Sequence, residues 1–163
     1  MTTTADTAAS RTLTISHVLD APASLVFRAW TDPAQLPSFW GPHGMTTPFV
    51  EMDLRPGGAF RTLMRAPDGA EYPTSGVFLE IAENRRLVFT DAYEAGFVPA
   101  AKPFFTAVIT FEDQGSGKTL LTAEARHWRD EDRDAHENMG FHDGWGQSLE
   151  RLANHLATLQ NTK

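Results

Sequence analysis

The chain has no cysteine among its 163 residues, which excludes disulfides and thiol catalysis and gives no sign of an oxidising compartment. Cations are scarce: 14 Lys and Arg stand against 21 Asp and Glu, a net charge of -7, with no basic cluster. Neither a nucleic acid nor an anionic membrane would find an electrostatic footprint, so neither is an expected partner. No segment approaches the roughly eighteen apolar residues that span a bilayer, and the start MTTTADTAAS has neither the basic end nor the apolar run of a secretory signal. A cytoplasmic location is the default expectation. There is no serine elbow of the form G-x-S-x-G and no glycine loop built to cradle phosphates. His136-Glu137 and His142-Asp143 come nearest to a metal motif, but histidines six apart point to different sides of a helix, unlike the spacing of H-E-x-x-H. No metal and no cofactor are expected.

What is present suits one globular domain with a sizeable core, since 41% of the residues are hydrophobic and no linker or repeat divides the chain. Residues 1–10 are small and polar and read as a disordered tail, leaving residues 11–163 for the domain. The organising stretch is the last one. Trp145, Leu149, Leu152, Leu156 and Leu159 recur at steps of four and three, with Glu150, Arg151, Asn154 and His155 between them, the pattern of a helix with one apolar face. At its start Gly140, Gly144 and Gly146 crowd around Trp145, although each glycine inside a helix costs about 1 kcal/mol relative to alanine. Either the helix kinks or begins late, or something approaches its backbone closely. Phe141 and His142 extend the stripe there, which turns from aliphatic to aromatic and polar, as one wall of a ligand pocket would; a frayed start on an ordinary core is the other reading.

Before that helix the pattern is mostly strand. Residues 12–19 alternate, with Leu13 and Ile15 on one face. Pro22 then opens a short helix over residues 23–30, and Thr31-Asp32-Pro33 stops it and caps a second over residues 34–39. Trp40-Gly41-Pro42-His43-Gly44 is a loop in which the tryptophan either plugs the core edge or closes the mouth of a cavity. Strands follow over residues 46–54, 59–65, 72–82 and 86–93, joined by short turns that make neighbours antiparallel. Residues 94–103 form the longest irregular segment, a candidate flap. A last hairpin over residues 104–112 and 118–128 leads through a charged stretch, residues 129–137, into the terminal helix. An α+β fold in which a bent antiparallel sheet holds that helix on its concave face buries the stripe and one face of every strand.

These residues resemble a known family. Asp20-Ala21-Pro22, Val26-Phe27-Arg28-Ala29-Trp30-Thr31-Asp32-Pro33, Phe39-Trp40-Gly41-Pro42, Asp53-Leu54-Arg55-Pro56-Gly57-Gly58, Pro67-Asp68-Gly69, Gly76-Val77-Phe78-Leu79-Glu80-Ile81, Arg86-Leu87-Val88-Phe89-Thr90 and Gly144-Trp145 with the leucine stripe look like the bacterial proteins grouped with the C-terminal domain of the activator of Hsp90 ATPase. That group lies in the START-like, or Bet v 1-like, superfamily. The resemblance covers about residues 12–160 and implies a helix-grip fold: a curved antiparallel sheet of six to seven strands around a long C-terminal helix, with two short helices after strand 1 and an apolar cavity between. Superfamily members include lipid carriers, polyketide cyclases and co-chaperones, so the fold does not name its occupant.

The expected function is therefore the binding of a small hydrophobic molecule, with Trp40, Phe60, Met64, Phe78, Phe89, Phe111, Phe141, His142 and Trp145 as candidate cavity lining. Asp91, Tyr93, Arg61, His127 and His142 point inward in one strand register and outward in another; no catalytic residue is nominated. A cofactor-free enzyme on polyketide-like or aromatic substrates is the alternative, and needs at least two polar groups converging in the cavity. An Hsp90-type co-chaperone module ranks last, because the chain lacks the additional N-terminal domain that such activators carry. A homodimer is left open.

Overall fold

A computed structural model describes residues 10–161. The expected disordered tail, except for Ser10, therefore lies outside the described residues. Seven strands form one curved antiparallel sheet: β1 (Thr12–Leu19), β2 (Thr46–Met52), β3 (Ala59–Arg65), β4 (Glu71–Ala82), β5 (Arg86–Thr90), β8 (Phe105–Gly115) and β9 (Lys118–His127), in the spatial order β1-β9-β8-β5-β4-β3-β2. β6 (Tyr93–Glu94) and β7 (Val98–Pro99) pair separately as a small hairpin. Helix α1 (Ala23–Thr31) follows β1, and α2 (Asp130–Asn138) and α3 (Phe141–Asn161) close the chain. No helix among the described residues is long and apolar enough to cross a membrane.

The curvature has local causes. Between β4 and β5 the register slips, Phe78 pairing with Phe89 and Glu80 with Val88, so Leu79 is an extra residue that bends β4. Two positions before Phe78, a Cβ on Gly76 would lie 2.1 Å from the carbonyl oxygen of Thr90, so only glycine lets β4 come so close to the end of β5. The bowl that results takes α1 and α3 on its inner face. Leu19, Leu36, Leu87, Ile109, Leu121, Leu149, Leu152 and Leu156 are all buried there, joining the leucine stripe of α3 to the sheet. At about 25 cal/mol per Å² of apolar surface removed from water, burying such a stripe is what holds α3 in the bowl.

Two elements differ from the sequence reading in detail. The second short helix is a single 3-10 turn, Leu36–Ser38. Pro37 has no N–H to continue an α-helix and disfavours helical geometry in the residue before it, while the Asp32 carboxylate accepts the Ala34 N–H at 2.9 Å and the Gln35 amide at 3.0 Å. The candidate flap is largely the β6–β7 hairpin, and Phe97 at its tip lays its ring over Gly57, where a Cβ would come within 2.4 Å of it.

The charged stretch before the terminal helix forms α2, whose first turn carries Asp130, Glu131 and Asp132, acids that suit a helix N-terminus. It ends at Met139-Gly140, where Gly140 takes φ +96° and its N–H bonds the Glu137 carbonyl at 3.0 Å. The glycine-rich start is thus a true break, with α3 beginning at Phe141.

Candidate functional site

Where the α2–α3 break faces the sheet, the bowl is not filled. A cleft of about 390 Å³ lies between β3, β4, β5 and the start of β8 on one side and the first turns of α3 on the other. Its apolar walls come from Trp30, Trp40, Phe60, Met64, Phe89, Phe105, Met139, Phe141 and Trp145. Thr74, Ser75, Gly76, Thr90, Asp91, His136 and Ser148 supply most of its polar lining, with Gly41, Pro42, Gly140 and Gly144 at the rim and in the α3 wall. Gly144 is helical, yet a Cβ added there, or at Gly140, would meet nothing within 4 Å. The glycines therefore do not admit a neighbouring backbone; they leave space.

Six of the nine candidate residues face this cleft: Trp40, Phe60, Met64, Phe89, Phe141 and Trp145. Phe78, Phe111 and His142 do not. Phe78 is fully buried, and Phe60 stacks parallel on it at 4.8 Å and takes the cleft-facing place. Phe111 is on the same face of β8 as Phe105 but six residues further along, about 20 Å at strand rise, and packs edge-on against Phe27 at 5.4 Å. His142 is exposed, because the residue after Phe141 is turned about 100° round the helix axis from it.

The Trp40 loop is tied to α3 by the polar residues beside the leucine stripe. Arg151 Nη1 donates to the carbonyls of Trp40, Gly41 and Pro42 at 3.2, 2.8 and 3.2 Å. Ser148 Oγ donates to the Phe39 carbonyl, and the His43 N–H donates to Gln147 Oε1 at 3.0 Å. Burial lowers the affinity of the Arg151 guanidinium for its proton relative to the ordinary value, without removing its charge. Trp40 itself donates its indole N–H to Thr62 Oγ1 at 3.1 Å and packs on Phe60 at 5.5 Å. Trp40 both packs against the core, touching Trp30, Phe60 and Phe89, and lines the cleft, so its position is compatible with either sequence reading of this loop.

Three groups outside the nine candidate lining residues matter to the polar side, one of which, Asp91, the sequence left open as inward- or outward-pointing. Trp30 was counted as core and is buried, yet it lines the cleft and its indole N–H has no acceptor among the described residues. Asp91 accepts the Phe104 N–H at 2.9 Å and the Phe105 N–H at 3.2 Å, pinning the end of β5 to the start of β8. Burial pushes its carboxyl above the usual range, against the pull of those hydrogen bonds. His136 stands among Phe104, Phe105 and Phe141, with ring centroids at 4.9, 4.9 and 5.1 Å, and hydrogen-bonds His127 at 2.9 Å. Burial first, and His127 second, push its pKa down to about 4. A signal for His136 was present: it is the buried side chain of an otherwise charged helix. Its partner His127, on β9, was not readable from that pattern. No group of three His, Cys, Asp or Glu side chains among the described residues is placed to hold a metal ion.

The sequence pattern described as "Activator of Hsp90 ATPase homolog 1-like protein" matches residues 20–157. The chain belongs to this family. Membership carries with it the SRPBCC, or Bet v 1-like, superfamily and the helix-grip fold. A crystal structure of a protein from Nitrosomonas europaea is 38% identical, covers 93% of this chain and 97% of its own, and superposes with a TM-score of 0.89. A solution structure from Arthrobacter aurescens, at 23% identity, covers 93% of this chain and 88% of its own with a TM-score of 0.80, a likeness of fold. An AHSA1 protein from Silicibacter pomeroyi, at 24% identity, covers 91% and 99% with a TM-score of 0.68, again a likeness of fold. The comparison with curated proteins gives no match.

Proposed function

We propose that this AHSA1-family protein binds a small, largely apolar molecule in the cleft between the sheet and α3, as a carrier or sensor. The observation that carries the reading is unfilled space in the wrong place for a mere core: seven aromatic side chains wall the cleft, and the helix facing them carries glycine where a stripe residue would close it. A volume of about 390 Å³ falls within the range of about 300 to 1,000 Å³ typical of ligand sites. Its few polar groups orient a ligand without supplying much affinity. Native mass spectrometry of protein purified from cells, followed by displacement of an anilinonaphthalene dye, tests it: a retained or titrated apolar ligand supports the reading. A folded protein that binds no dye and carries no small molecule overturns it.

A cofactor-free enzyme on aromatic or polyketide-like substrates is the second reading, favoured by Asp91 and His136 both lining the cleft. Turnover of enolic or phenolic polyketide analogues, abolished in His136→Phe, would bring it forward. The negative charge favours a small-molecule partner over a nucleic acid or an anionic membrane. An Hsp90-type partner ranks below both readings, and a cytoplasmic site of action is part of the same proposal.

A further inference from the structure

The two buried histidines form a chain whose proton positions follow from hydrogen-bond accounting. His127 Nδ1 lies 2.8 Å from the backbone carbonyl of Arg11. A carbonyl only accepts, so that nitrogen carries the proton. In an uncharged imidazole the other nitrogen then holds a lone pair, and His127 Nε2, 2.9 Å from His136 Nδ1, accepts. His136 Nδ1 must therefore be the donor, which leaves His136 Nε2 as a bare lone pair. No hydrogen bond to that atom is formed among the described residues, although His136 as a whole is only 9% exposed. His136 lines the cleft and His127 does not, so the ring turns Nδ1 towards its partner and its other edge towards the open space.

Unpartnered yet not one of the fully buried unpaired atoms among the described residues, this nitrogen is accessible to a donor from outside the fold, and it is set among three phenylalanines that favour a flat partner. An ammonium or another charged donor would lose far more hydration in such surroundings than one hydrogen bond returns. A neutral hydroxyl on an aromatic or conjugated ring has both the acidity and the shape. We infer that His136 Nε2 is the polar anchor of the cleft and selects ligands bearing a phenol- or enol-type hydroxyl, which donates its hydrogen to that nitrogen. The inference rests on the proposed ligand-binding role and names its ligand class. His127, which touches no ligand, is a positioning residue: it fixes the tautomer that makes Nε2 an acceptor.

Three probes of one shape separate the possibilities: naphthol, methoxynaphthalene, which keeps the oxygen but has no hydrogen to give, and naphthalene. Measured by calorimetry or dye displacement on the full chain, naphthol is expected to bind the native protein about tenfold more tightly than methoxynaphthalene, the worth of one well-made hydrogen bond. In His136→Phe that preference should vanish while naphthalene binding persists. Naphthalene binding with no preference for naphthol, or a preference that survives in His136→Phe and so belongs to Asp91, overturns the inference and leaves the ligand-binding reading standing. Binding of none of the three by folded protein overturns that reading and the inference with it. Imidazole nitrogen NMR on the native protein needs no variant: hydrogen on Nδ1 and none on Nε2 of His136 supports the inference, and the opposite tautomer overturns it. In His127→Phe the naphthol preference should fall and both His136 tautomers should appear; a preference unchanged there overturns the positioning role.

Discussion

Replacing Gly144 by alanine asks directly whether the cleft is open. Gly144 sits in the first turns of α3, its N–H bonded to the Gly140 carbonyl at 2.8 Å, and an added Cβ would meet nothing within 4 Å. With no clash and no new packing, only the backbone preference changes, and alanine in place of a helical glycine is worth about 1 kcal/mol. For a chain of 163 residues that corresponds to a melting temperature higher by about 2 to 4 °C. Gly146 is the control: its Cβ would make only ordinary contact with Ile15 Cδ1 at 3.8 Å, and it does not line the cleft. Both Gly144→Ala and Gly146→Ala should gain stability in urea titration and thermal scans. Only Gly144→Ala should weaken dye or arene binding, and Gly144→Leu should abolish it while the protein stays folded. A Gly144→Ala variant that loses stability would mean the space is occupied by side chains in solution. Equal losses of binding in the two alanine variants would place the ligand elsewhere.

Other perturbations probe the walls. Trp145→Ala should cost about 1 to 2 kcal/mol, below the roughly 3 to 5 kcal/mol of a fully packed tryptophan, because Trp145 is only half-buried and borders the cleft; a loss in the full range, measured by urea unfolding, would remove it from the lining. Arg151→Ala strips the donor from three carbonyls of the Trp40 loop and should cost about 2 kcal/mol, with a red shift of tryptophan fluorescence as Trp40 meets water; an unchanged spectrum would mean that the loop is held by other groups. Gly76→Ala sets a methyl against the Thr90 carbonyl and should cost more than about 2 kcal/mol, whereas a neutral result in the same titration would show that β4 can retreat. Acid should also weaken the fold through His136. Its folded pKa of about 4 lies below the ordinary histidine value of 6.5, so the unfolded chain binds the extra proton first and the stability present above pH 6.5 falls by on the order of 2 kcal/mol by pH 4.5. Asp91, whose carboxyl is raised, acts in the opposite direction and only at the acid end. A stability difference between native protein and His136→Phe that does not change with pH would refute the assignment.

Much of the architecture was legible because its signals are local. Turn residues such as Arg55-Pro56-Gly57-Gly58 and Pro67-Asp68-Gly69 fix hairpins within a few positions, and the leucine stripe needs only helical periodicity. The site was legible by halves. Trp40, Phe141 and Trp145 stood out as aromatics beside loop and glycine signals, but Phe60 and Phe78 have equal claims in sequence, and only a stacked pair shows which covers the other. Phe111 and Phe105 share a strand face, and alternation alone cannot say which end of the strand is open. The 3-10 turn shows Pro37 overriding an otherwise helical pattern. The His127–His136 contact joins β9 to α2, and a pairing of that kind leaves no periodic trace.

The division of labour along α3 gives the cleft its energetics. Leu149, Leu152 and Leu156 are buried against the sheet and account for the gripping, at roughly 1.5 to 3 kcal/mol for each such side chain. The start of the same helix gives up about 1 kcal/mol at Gly144 and a similar amount at Gly146. A fold secured at one end of the helix can tolerate a loosely filled other end, since the losses there are smaller than the combined gain from the three leucines. Filling that end from outside should therefore add to stability without remodelling the sheet. A ligand present at a hundred times its dissociation constant would contribute about 2.7 kcal/mol, more than the two glycines together forfeit. Thermal shifts that grow with the logarithm of ligand concentration in the native protein, and are absent in Gly144→Leu, would show that the ligand occupies the space the glycines leave. Shifts of equal size in the two proteins would show that it binds the surface instead.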